Sequence, residues 1–74
     1  MLEDGTYDII IVDATPTDDE PGALRLDVTV LGGAHKGQVI SVRATGLGLS
    51  DVEALGMPGT LVVSGGEPSV VVEP

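Results

Sequence analysis

The chain has 74 residues and no cysteine, so it is one small domain with neither a disulfide framework nor a thiolate metal site. Twelve acidic residues against three basic ones give a formal charge of −9, which repels nucleic-acid phosphates and anionic lipid. The only aromatic residue is Tyr7, too few for a platform on which bases or sugars stack.

The acidic excess also fits plain solubility or adaptation to a salty cytoplasm. A 42% hydrophobic fraction, rich in Val and Ile, argues against disorder over most of the chain. Met1–Gly5 has neither the basic nor the apolar region of a signal peptide, and no apolar run reaches membrane-spanning length. The expectation is a soluble cytoplasmic protein without cofactor or metal.

Met1–Gly5 reads as a frayed lead-in. The first strand covers Thr6–Ala14; Tyr7, Ile9 and Ile11 share a face, and Ile9–Val12 is apolar on both faces, as in a strand buried on both sides or one bending round a small barrel into two sheets. Thr15–Gly22 is a loop stopped by two prolines and a glycine. Its Asp18, Asp19 and Glu20 lack the ligand spacing of a calcium loop and read as a solvated acidic cluster.

Leu24–Ala44 predicts an antiparallel hairpin. Leu24, Leu26, Val28 and Val30 alternate with Arg25, Asp27 and Thr29; Ile40, Val42 and Ala44 alternate with Ser41 and Arg43. Even-numbered residues of both strands then face the core. Avoiding two arginines face to face favours the register that pairs Asp27 with Arg43, Thr29 with Ser41 and Leu31 with Val39. The remaining loop, Gly33–Gly37, carries His35 and Lys36 at an exposed tip, where loops on rigid scaffolds often bind.

Thr45–Leu49 is a crossing segment whose glycines match no phosphate or dinucleotide motif. Ser50-Asp-Val-Glu53 is a capping-box pattern opening a short helix; Val52 and Leu55 are expected to plug the barrel bottom, and Gly56 with Pro58 ends it. Thr60–Ser64 is a fourth strand with Leu61 and Val63 inward. Gly65–Pro68 is a turn, and Ser69–Glu73 is a fifth strand ending at Pro74, with Pro68 and Glu73 guarding the apolar run Val70–Val72 against edge aggregation.

This order, three strands, a short helix and two strands, is that of a five-stranded, partly open OB-like barrel. An SH3-like barrel is the alternative, but Gly65–Pro68 leaves no room for a helical turn between the last two strands.

The stretches Gly5-Thr-Tyr-Asp-Ile-Ile-Ile, Leu24-Arg-Leu-Asp-Val-Thr-Val-Leu-Gly and His35-Lys-Gly-Gln-Val-Ile resemble uncharacterised small OB-like β-barrel proteins of high-GC bacteria. They are also similar to phage-encoded small β-barrels thought to act near single-stranded DNA. The resemblance covers residues 5–44, on glycines and strand pattern. It implies DNA binding, and the chain departs from that implication by lacking basic and stacking residues.

One histidine, no cysteine and no paired acids in an apolar setting point away from catalysis. The expected function is a non-catalytic interaction module that binds a protein or itself. Ile10, Val12, Leu31, Val39, Val62 and Val71 are expected to face outward, and such apolar area marks contact surfaces. The alternatives are OB-type binding of single-stranded nucleic acid or oligosaccharide, with Tyr7, Arg25, Lys36 and Arg43 as contacts, and an acidic inhibitor of a basic partner. His35 joins those four as a candidate contact in the hairpin loop.

Overall fold

A computed structural model describes residues 2–72. Strand β1 (Gly5–Pro16) is followed by β2 (Leu24–Val30), β3 (Val39–Ala44), helix α1 (Asp51–Ala54), β4 (Pro58–Ser64) and β5 (Glu67–Val72). All neighbours are antiparallel in one sheet of order β3-β2-β1-β4-β5. The sheet curls into a half-barrel that brings β3 alongside β5, with the short helix between the third and fourth strands. This is the OB-like arrangement that the order of elements implied. The expected extension of β5 to Glu73 and the ending at Pro74 lie outside the described residues.

The curl originates in β1. Gly5–Ile10 pairs with β4 and Ile9–Pro16 pairs with β2, so a single strand serves two neighbours that overlap only briefly. A β-bulge falls between Ile11 and Asp13. Ahead of it the odd-numbered Ile9 and Ile11 are buried; behind it the even-numbered Ala14 is buried and Val12 is 48% exposed. One extra residue thus reverses which parity faces inward and bends the strand. The strand also runs two residues further than expected, since Thr15 and Pro16 pair with Arg25 and Leu24.

Leu26, Val28 and Leu61 are fully buried, joined by Ile9, Ile11 and Val30, and among the described residues every buried side chain is apolar. The even-numbered face of β2 and β3 is inward as expected, with Ile40 half-buried against the core. The register differs from the expectation. Arg25 pairs with Arg43, Asp27 with Ser41 and Thr29 with Val39. Two contacts relieve the like-charge cost: Arg43 reaches Asp19 at 3.0 Å and Glu20 at 3.8 Å. In the neighbouring pair Ser41 Oγ donates to Asp27 Oδ1 at 2.6 Å. The turn selects the register. Val30 N–H donates to the Gln38 carbonyl and Gly37 N–H to the Val30 carbonyl, with Gly33 and Gly37 at positive φ.

Helix α1 has the expected capping box: Glu53 N–H donates to Ser50 Oγ and Ser50 N–H to Glu53 Oε1. Its inward residue is not as expected. Ala54 is fully buried, whereas Val52 is 73% and Leu55 48% exposed. Gly56 N–H donates to the Ile11 carbonyl and Ile11 N–H to the Met57 carbonyl, which draws the helix end tightly against β1. Ala54 presents its methyl group to that close contact.

The lead-in is docked rather than frayed. Leu2 is buried in the core, and the Asp4 carboxylate accepts the N–H groups of Gly65 and Gly66 at 3.1 and 3.3 Å. The same two glycines, at φ +61° and +80°, form a two-residue hairpin turn between Ser64 and Glu67. The turn is therefore shorter than expected, and Glu67 and Pro68 belong to β5.

Candidate functional site

The half-barrel is open where β3 and β5, the two outer strands of the sheet, lie side by side without a ladder between them. Backbone alternation decides which groups face this seam. On β3 the Val30–Gln38 hydrogen bond puts the next exchange with β2 at Ile40, so the N–H and C=O of Val39 and Ser41 aim away from β2. On β5 the turn makes Ser64–Glu67 the bonded pair, so Pro68 and Val70 aim away from β4. Proline has no N–H, and Pro68 therefore removes a donor from the seam-facing edge of β5. An edge interrupted in this way resists zipping to its neighbour.

At the N-terminal ends of these strands the seam widens into a cavity of about 300 Å³. Leu2, Ile40, Leu61 and Val63 form its apolar walls, Gln38, Val39 and Ser41 its β3 rim, and Gly66 and Pro68 its β5 rim. Val39 is 58% exposed beside it. Glu3, Asp4 and Glu67 are exposed on the segments flanking this end, and Asp27 is held against Ser41.

The five residues singled out from the sequence fall into two groups. At the hairpin end, His35 is half-buried instead of exposed, its ring set edge-on to that of Tyr7 with centroids 6.0 Å apart. Tyr7 packs against the core and its hydroxyl donates to the Glu3 carbonyl. Lys36 is exposed beside them in the turn. At the opposite end of the hairpin, Arg25 and Arg43 face each other. Asp19 and Glu20 fold over from the β1–β2 loop, whose ends are tied by Thr17 N–H donating to the Ala23 carbonyl. The Thr17 side chain, the local backbone and the Arg43 guanidinium hold the Asp19 carboxyl below its ordinary value. On the outer face of β2 and β3 Arg43 is thus already paired with acids, and Asp13 stands opposite Asp27 on the same sheet.

Of the apolar residues expected outward, Val12, Leu31, Val39 and Val71 are exposed, while Ile10 and Val62 are half-buried. The cavity residues Leu2, Gln38, Ile40, Val63 and Pro68 were not among the sequence candidates. A proline inside a strand is the one available signal, because it marks an edge without a partner. Leu2 gives none, since a single leucine followed by two acids has no periodicity to read.

Among the described residues no group of three or more His, Cys, Asp or Glu side chains is placed to hold a metal ion. No helix among them is long and apolar enough to cross a membrane. No protein-family profile, curated protein or solved structure matches the chain.

Proposed function

We propose that this chain is a non-catalytic interaction module whose partner is a basic protein. The observation that carries the reading is the apolar cavity between two unpaired strand edges, on a chain of charge −9. Exposed edges with an adjacent apolar hollow are contact features. The surrounding negative potential steers a positively charged partner and slows a phosphate-bearing one. Ion pairing of Arg43 with Asp19 and Glu20 weighs against oligonucleotide binding across β2 and β3, because a polyanion must first displace those acids. The reading places the protein in the cytoplasm, with self-association as the lesser outcome, since two copies at −9 repel each other at low salt.

The test is an amide-shift titration at low salt with two probes, octalysine and a twelve-nucleotide oligothymidine. The reading expects shifts with the peptide and none with the oligonucleotide. The reverse pattern overturns it in favour of nucleic-acid binding.

A further inference from the structure

Resting on the reading above, we infer that the partner segment is an extended strand, alternating basic and aliphatic residues, that adds to the seam-facing edge of β3. Val39 and Ser41 offer the N–H and C=O groups that a strand needs on one side. Alternate side chains of an added strand point to opposite faces. One set enters the cavity over Leu2, Ile40 and Val63, where about 300 Å³ leaves room for more than one aliphatic group. The other set points outward, toward the side on which Asp27 accepts from Ser41.

Three features single out this occupant. Pro68 withholds one donor from the β5 edge, and β3 and β5 form no ladder, which leaves the edge groups of Val39 and Ser41 without a β5 partner. The cavity walls are aliphatic, so the inserted side chains are aliphatic rather than charged. The exposed acids Glu3, Asp4 and Glu67 around the lower end favour lysine or arginine at the outward positions. A second copy of this chain brings further negative charge to the same place, which disfavours it at low salt.

The experiment uses a capped eight-residue peptide alternating lysine and valine, and a control of equal charge in which proline replaces every valine. Binding is followed by amide shifts and amide exchange of the full chain. The inference expects the first peptide to slow exchange at Val39 and Ser41 and the second to bind about tenfold more weakly or worse. Val39→Pro removes one outward N–H while sparing the β2 ladder, and Val63→Phe fills the cavity. Each is expected to weaken the lysine–valine peptide by about tenfold, with the oligomeric state unchanged.

Equal binding of both peptides, with shifts centred on Asp18–Glu20, overturns the strand-addition inference and leaves a charge-driven interaction module standing. A dimer that forms at high salt and protects Val39 without peptide also overturns it, naming a second copy as the occupant. No response to any basic peptide, with a response to oligothymidine, overturns both this inference and the broader reading.

Discussion

Arg25 and Arg43 stand directly opposite each other on β2 and β3, and both remain exposed. Like charges so placed oppose pairing by a few tenths of a kcal/mol to about 1 kcal/mol. Asp19 and Glu20 offset that cost from a loop distant in sequence. The double substitution Asp19→Ala/Glu20→Ala is therefore expected to lower thermal stability, and adding Arg25→Thr to restore most of it. Melting temperatures at low and high salt check this, because screening shrinks both effects. Simple additivity of the substitutions contradicts the coupling.

Leu26 is fully buried and Thr29 lies on the other face of the same strand. Leu26→Ala is expected to cost about 2–5 kcal/mol, several times the cost of Thr29→Ala. Denaturant unfolding measures both; small, equal effects contradict the inward face assigned to β2.

Gly59 has an ordinary backbone conformation, but a Cβ there would lie 2.6 Å from the Val71 carbonyl oxygen. The contact is with backbone, so β4 and β5 must move apart to relieve it. Gly59→Ala is expected to destabilise the fold by about 1–3 kcal/mol and to speed amide exchange along β5. Unchanged exchange in β5 argues against that close approach.

The Ser50–Glu53 capping box predicts a cost of about 1 kcal/mol for Ser50→Ala. Hydrogen bonds from the Ser50 amide and hydroxyl keep the Glu53 carboxyl below its ordinary value of 4.5. Its depressed folded-state pKa means that the cap's contribution is complete above the unfolded value and is lost as pH falls through the folded one. Amide exchange in Asp51–Ala54 should accordingly rise as pH drops below about 4.5, after correction for intrinsic rates. Ser50→Ala should flatten that rise; an unaltered profile contradicts the cap's role.

Much of the fold was legible because local rules agreed with the final packing. Alternation over Leu24–Val30 could satisfy only a half-buried strand, and Ser50 with Glu53 could satisfy only a helix start. Most of the misjudged features depend on contacts between distant segments. The hairpin register follows its own glycine turn, and the Arg25–Arg43 pairing it creates is offset by acids in another loop. The burial of Ala54 in place of Val52 and Leu55 goes with the hydrogen bonds that tie the end of α1 to β1. Docking of Leu2 and Asp4 depends on a turn more than sixty residues away. The candidate site was the least legible part. Its walls come from strands whose adjacency exists only once the sheet has curled, and its edges are backbone, which carries no side-chain signature.

The extra residue at Val12 bears on how uniquely the chain pairs with itself. In a regular strand a slip of two positions keeps every side chain on its proper side, so wrong alignments cost little. Here the inward parity changes partway along β1, and a two-residue slip past the bulge turns Ile11 outward in one direction and Asp13 inward in the other. A single misfit residue therefore acts as an index mark, and it gives a small, valine-rich sheet one alignment in which all its side chains are satisfied.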